Sequence, residues 1–305
     1  MEGSDRMANI LLKIAYDGSG FHGWQKQPGL RTVQGALEET LAHLCQGPVS
    51  LAGTSRTDAG VHAMGQCATL EGEFGIPTAH IPKAANNLLK DAMILGAEEK
   101  PEGFHARFSA VGKAYVYRFA VSPQTPIFLR DYACVLKAKP DTGIMAEMAK
   151  RLEGTRDFAC FQAAGGAPRE TTVRTIFGTA VREGIRTGPA GAGYETVEVE
   201  ICGDGFLYNM ARIIAGTLAE AGAGKFAPGR IDDIIESKNR ALAGPTAPPQ
   251  GLYLEEVFFD RAELEAHVRR ARERETSGLP CAAGECEGRK RPGEGEGERY
   301  GTGEK

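Results

Sequence analysis

Residues 53–66 read GTSRTDAGVHAMGQ: three glycines, three small hydroxyl residues, one Arg, one Asp and one His in fourteen positions, set between apolar stretches. Glycine and short polar side chains satisfy backbone groups locally, so the segment reads as a loop. If that loop is extended, Arg56 and Asp58, two positions apart, project to one side. A carboxylate, a guanidinium and several backbone N–H groups then converge on whatever binds there. Spacing alone leaves open an Asp-Ala-Gly turn with a surface Arg.

Outward from this loop, strand and helix periods are mixed. Ile10, Leu12, Ile14 and Tyr16 recur at spacing two, an opening strand that ends in the turn Asp17-Gly18-Ser19-Gly20. Val33, Leu37, Leu41 and Leu44 recur at helical spacing behind Thr32 as N-cap. Lys113, Tyr115, Tyr117, Phe119 and Val121 share one face of a strand, and Val197, Val199 and Ile201 share one face of another, with Glu198 and Glu200 opposite. A helix follows from Phe206 and directs Met210, Ile213, Ile214 and Leu218 to a core. Strands and helices do not alternate as a parallel sheet requires. The fold class is therefore α+β with mainly antiparallel sheets, in two domains at 9–107 and 108–261.

The chain of 305 residues is 42% apolar and 25% charged, with 36 Lys and Arg against 40 Asp and Glu. This is the balance of an ordinary globular protein, and the formal charge of −4 does not advertise a polyanion partner. A nucleic-acid site would need a local basic patch. Arg107, Lys113, Arg118 and Arg130, together with Arg56 and Lys26, are the candidates to line one. No apolar run reaches the ~20 residues of a membrane span and no signal-peptide pattern opens the chain, so a cytoplasmic protein without membrane attachment is expected. Residues 262–305 contain nine Lys and Arg, ten Glu and eight Gly. The first part, to about Glu275, could form a charged helix; the remainder has the composition of a disordered tail.

Seven scattered cysteines suit free thiols, and Cys281 with Cys286 has no second ligand pair for zinc. His62 has no partner at metal spacing and reads as a structural hydrogen-bonding group; Trp24 reads as a packing anchor. GAGK at 222–225 lacks both the leading glycine and the Ser or Thr of a phosphate-binding loop.

The run at 53–66 resembles the signature of the TruA-type tRNA pseudouridine synthases, in which an Asp sits within an Arg-Thr-Asp-Ala-Gly-Val-His string. YDGSGFHGWQKQPGLRTVQGALE from Tyr16, FHARFSAVGKAYVYRF from Phe104, and GDGFLYNMARIIAGTL with TAPPQGLYL resemble the family's other motifs in the same order, over about residues 9–260. The resemblance implies a pseudouridine synthase fold whose two domains meet at a central cleft. It implies Asp58 as the catalytic nucleophile and Arg212 as the cation that pairs with it. Arg56 would fill the space left by a flipped-out uridine, Tyr115 would stack on the target base, and Arg107 and Lys113 would contact the substrate. It further implies tRNA as partner, uridines 38–40 of the anticodon arm as targets, a homodimer, and no cofactor or metal.

Two other functions are compatible with parts of the pattern. A non-catalytic tRNA-binding or chaperone module would keep the cleft but does not need the carboxylate. A nucleoside hydrolase or glycosidase would use Asp58 with a second acid, for which the sequence offers no candidate.

Overall fold

The computed structural model describes residues 8–45, 48–72, 74–166, 170–187 and 193–277. In chain order its elements are β1 (Ala8–Tyr16), α1 (Val33–Ala42), β2 (Ser50–Gly53), β3 (His62–Gly72), α2 (Ile81–Asn86), β4 (Ala92–Lys100), β5 (Gly112–Val121) and β6 (Cys134–Leu136). There follow α3 (Thr142–Lys150), β7 (Gly154–Asp157), β8 (Val173–Thr187), β9 (Gly193–Gly203), α4 (Met210–Gly222), α5 (Arg230–Ser237), β10 (Leu252–Phe258) and α6 (Arg261–Ser277).

All ten strands join one sheet, in the order β4-β1-β3-β10-β5-β9-β8-β7, with β2 added to β3 and β6 to β5. The β10–β3 and β5–β6 pairs are parallel; the others are antiparallel. The fold is thus mixed α and β on a mostly antiparallel sheet, in line with the periods read from the sequence. The sheet is continuous across the two halves of the chain because β10, from near its end, inserts between β3 and β5.

Local chemistry accounts for the elements that carry the site. The apolar positions of β1 and of β5 fall on the buried face, and both faces of β5 are covered, since Ala114, Val116 and Ala120 are buried as well as Tyr115, Tyr117 and Phe119. Thr32 caps α1 by accepting from the Gly35 N–H. The C-terminal core helix begins at Met210 and not at Phe206, because the chain turns through a left-handed Asn209, at φ 60°, before helical geometry starts. The main core lies between one sheet face and α1–α5; a smaller cluster of Ala114, Cys202, Phe258, Leu264 and Val268 lies on the opposite face.

That second cluster is covered by α6. The charged run after Asp260 is a helix whose Leu264 and Val268 are buried on the sheet. Its polar residues meet charges buried on the sheet: His267 Nε2 lies 2.6 Å from Glu200, which also pairs with Arg182 of β8 at 2.6 Å. Burial pushes the Glu200 carboxyl up, but the His267 hydrogen bond and the Arg182 charge outweigh it and hold Glu200 below the usual carboxylate range. Residues 278–305, with Cys281, Cys286 and the segment read as a disordered tail, lie outside the described residues, as do residues 188–192 and 167–169. Cys45, Cys67, Cys134, Cys160 and Cys202 are free thiols. No helix among the described residues is long and apolar enough to cross a membrane.

Candidate active site

The loop between β2 and β3 owes its position to a division of labour along one edge of β3. There β10 pairs with His62 and Ala63, and β2 pairs with residues 68–71. Residues 54–61 are extruded where neither strand pairs. The root is clamped by the buried Gln66, whose Oε1 accepts from Ser55 N–H at 3.3 Å and Cys67 N–H at 3.2 Å while its Nε2 donates to Ser55 O at 2.7 Å. Thr57 is held from three directions. Its hydroxyl lies 2.8 Å from Tyr16 Oη, its carbonyl accepts from Trp24 N–H at 3.0 Å, and Gly23, at φ +85°, leaves no room for a Cβ, which would stand 2.7 Å from Thr57 O.

Thr54, Ser55 and Thr57 are buried, whereas Arg56 is exposed and Asp58 half-buried, the alternation of an extended loop. Arg56 and Asp58 accordingly line the same cleft, of about 790 Å³. This is within the roughly 300–1,000 Å³ typical of ligand sites.

Asp58 Oδ2 accepts from Arg212 Nη1 at 3.0 Å, with the side chains 29% and 15% exposed. Arg212 lies in the first turn of α4, 154 residues away in sequence. Its guanidinium is fixed by two further acceptors, Ala247 O on Nε at 2.8 Å and Asn209 Oδ1 on Nη1 at 2.9 Å. Ala247 can come this close because α4 carries Gly216 where a Cβ would stand 2.0 Å from Pro245 O. A cation oriented by three acceptors, one of them charged, offsets the cost of desolvating a carboxylate far better than a mobile surface Arg would.

Asn209 departs from its usual role. An Asn at a helix N-cap normally accepts from the first-turn N–H groups, but here no side-chain cap bond forms and the amide oxygen serves Arg212 instead. Asn also tolerates the left-handed backbone better than most L-residues, though less well than glycine. Asn209→Gly therefore leaves the melting temperature about unchanged while lowering turnover on the order of 10- to 100-fold through a misplaced Arg212. Thermal denaturation and single-turnover kinetics measured side by side check this.

Tyr115 also lines the cleft. It is 8% exposed, its ring meets Phe206 edge-on at 4.8 Å, and burial, more than the nearby Asp58 charge, pushes its hydroxyl up to about 12. It presents a neutral ring. Arg107 lines the cleft as well, and Lys113 does so while donating to Thr54 O at 3.0 Å.

The basic patch read from the sequence is only partly right. Arg118 occupies the opposite face of β5, where it pairs with Glu198 at 3.1 Å and stacks 3.9 Å from the Tyr253 ring centroid. Period two demands this, because an even-numbered residue cannot share a face with Lys113 and Tyr115. Arg130 pairs with Asp131, and Lys26 with Glu38; neither lines the cleft. Arg174, which the sequence reading passed over, does line it, together with Gln162, Asn209 and Phe108. Arg174 arrives through the β7–β8 pairing and left no local signal, whereas Asn209, three positions before Arg212, could have been noticed from spacing.

His62 and Trp24 take structural roles. His62 Nδ1 accepts from Gly18 N–H at 3.0 Å, so Nε2 carries the proton and donates to Asp131 O at 2.9 Å. Burial keeps this imidazole below its ordinary pKa. Trp24 is buried with its ring over Gly53, where a Cβ would lie 2.4 Å away. The GAGK segment ends α4 and turns at Gly224, φ +80°, with no phosphate-loop geometry. Among the described residues no group of three or more His, Cys, Asp and Glu side chains could hold a metal ion.

A carboxylate fixed by an oriented guanidinium, beside a buried aromatic ring in a cleft rimmed by arginines, suits chemistry at an electron-poor carbon of an anionic substrate. The family model for tRNA pseudouridine synthase matches residues 13–109 and 148–260. Proteins called tRNA pseudouridine synthase A are similar over most of the chain. That of Ruminiclostridium cellulolyticum is 41% identical over 254 residues, 83% of this chain and 100% of its own. Those of Bacillus pumilus and Bacillus subtilis are 44% and 42% identical, each covering 82% of this chain and 99% of its own. The chain belongs to the tRNA pseudouridine synthase family, whose members are isomerases. A solved structure, of an unknown protein from Galdieria sulphuraria, aligns with 72% of this chain and 94% of its own at 6% identity and a TM-score of 0.18, too low to bear on the fold.

Proposed function

We propose that the protein isomerises uridines 38–40 in the anticodon stem-loop of tRNA to pseudouridine, with Asp58 as nucleophile. The observation that carries this reading is the Asp58–Arg212 pair, 3.0 Å apart beside Tyr115 in the cleft. The N1–C1′ bond of the uridine breaks and its electron pair leaves on uracil N1. The Asp58 carboxylate attacks or stabilises C1′ as positive charge develops there. The detached uracil, held against the Tyr115 ring, turns to present C5, and a C5–C1′ bond forms as C1′ separates from the Asp58 carboxylate, which is regenerated. The C5 proton is lost, with Asp58 assisting, and N1 gains one. Atoms balance with no water, nucleotide or other co-reactant consumed.

Arg212 keeps the carboxylate aimed, through the 3.0 Å bond from its Nη1 to Asp58 Oδ2. Asn209 is a positioning residue that acts through it. A uridine within a stacked stem must leave the helix to reach Asp58, at a cost of a few kcal/mol. Arg56, on the same side of the loop as Asp58, occupies the vacated space; Arg107 and Lys113 contact the substrate, and Arg174 adds to the charge that attracts phosphate. On this reading the segments 9–107 and 108–261 act as two domains about the cleft. The protein is cytoplasmic and a homodimer whose subunits together build each tRNA cleft, which doubles a modest basic surface by symmetry.

Unmodified tRNA transcripts incubated with the protein, then treated with carbodiimide and read by primer extension, test the proposal: stops at 38–40 support it, and their absence sinks it. A second expected result concerns flipping. Arg56→Ala lowers turnover roughly 100-fold while weakening tRNA binding less than about threefold, because the lost contact forms only once the base has left the stack. Equal losses in both quantities, measured by single-turnover kinetics and filter binding, remove Arg56 from that step.

A further inference from the structure

The cleft carries an aromatic side chain for which the isomerisation has no use. Phe108 is 76% exposed and stands among the cleft-lining residues. A singly exposed apolar residue is ordinary, but the setting of this one is not. The His105 ring lies 4.5 Å from it, centroid to centroid, tilted by 39°, and the Arg107 guanidinium is 5.5 Å from its centroid.

The turn that presents Phe108 is closed by backbone hydrogen bonds. His105 O accepts from Phe108 N–H at 3.0 Å and Ser109 N–H at 2.8 Å, and His105 Nδ1 accepts from Arg107 N–H at 3.1 Å. Beneath them the fully buried Ala106 donates its N–H to Thr69 Oγ1 at 2.6 Å, and its carbonyl, at 3.2 Å, shares the Thr54 hydroxyl proton with Cys67 O at 2.9 Å. Thr54 belongs to the loop that carries Asp58. The backbone that carries the ring is therefore tied by a short chain of hydrogen bonds to the loop that carries the carboxylate.

A preorganised phenyl face with a guanidinium and an imidazole beside it matches a nucleotide: the base stacks on the ring and the cation meets the phosphate. When the target uridine swings out, each neighbouring base loses a stacking partner and exposes one π-face. Resting on the RNA-isomerase reading above, we infer that Phe108, with His105 and Arg107, forms a stacking platform for a nucleobase adjacent to the flipped uridine. Arg56 enters the vacated space, and the platform covers what the guanidinium leaves open of the neighbouring base's uncovered face, and so favours the flipped state.

The test uses full-length tRNA transcripts carrying 2-aminopurine, whose fluorescence is quenched by stacking, at either neighbour of a target uridine. With the wild-type protein the probe at one neighbour stays quenched on binding. Phe108→Ala raises that fluorescence severalfold and weakens tRNA binding about tenfold, within the range for loss of one base–aromatic stack. Its melting temperature stays that of the wild type, since the ring is exposed. Phe108→Trp restores quenching and binding; Phe108→Leu, apolar but without a π-face, restores neither. Wild-type binding and quenching in Phe108→Ala, or full rescue by Phe108→Leu, overturns the platform while leaving the isomerase reading intact, provided the wild-type protein forms pseudouridine. A wild-type protein that forms none overturns both.

Discussion

Asp58→Ala lowers pseudouridine formation by about 10⁴-fold or more, with tRNA affinity within about threefold of wild type. The size follows from what the carboxylate has to do. Breaking the N1–C1′ bond develops positive charge at C1′, and Asp58 is the acid that the cleft presents beside the Tyr115 ring. The small effect on binding follows from the proposed complex, in which affinity comes from phosphate contacts with arginines at the rim and from stacking. Asp58→Asn gives the same loss, because the amide keeps the shape and a hydrogen bond to Arg212 but carries no negative charge and is a poor nucleophile. Single-turnover kinetics with filter binding separates the two quantities. Activity within tenfold of wild type in Asp58→Asn would remove the carboxylate from the chemistry.

Arg212→Met lowers turnover by roughly 10²- to 10³-fold, the loss typical of removing one preorganised electrostatic partner from a reacting group. The substitution keeps much of the apolar stem but deletes the bonds to Asp58, Asn209 and Ala247 together. Asp58 is then free to relax toward solvent. Arg212→Lys recovers only part of the loss, since one ammonium cannot meet three acceptors that a planar guanidinium spans. The double variant Asp58→Ala, Arg212→Met is no slower than Asp58→Ala alone, because Arg212 acts through the carboxylate. Additive losses in that cycle would give Arg212 an independent role.

Much of this site was legible because it is written in local patterns. The extended loop with Arg56 and Asp58 on one side follows from two-residue spacing, β1 and β5 obey the same period, and Thr32 caps α1 as its residue type and place ahead of a helical repeat imply. Arg212 was legible as partly buried from its apolar neighbours, but its partner 154 positions away came only from the family resemblance. The basic patch failed where sequence proximity was taken for spatial proximity: Arg118 is five residues from Lys113, an odd interval that puts it on the other face of β5. Arg174 joins the cleft through sheet pairing that no local pattern encodes. The run from Ala262 to about Glu275 was legible as a candidate charged helix, but its tail-like composition hid that α6 docks on the sheet, because His267 meets Glu200 and Arg272 meets Glu153 while Leu264 and Val268 fill the small second core. Composition counts charges; it does not count the partners waiting for them.

The most direct test of the account is release of tritium from tRNA transcripts labelled at uridine C5, with metal chelator present and no nucleotide added. The account predicts release by the wild-type protein in step with pseudouridine formation, because joining C5 to C1′ expels the C5 proton, and none above background by Asp58→Ala at equal tRNA occupancy. Accumulation of free labelled uracil without tritium release, or release by Asp58→Ala at the wild-type rate, would contradict it.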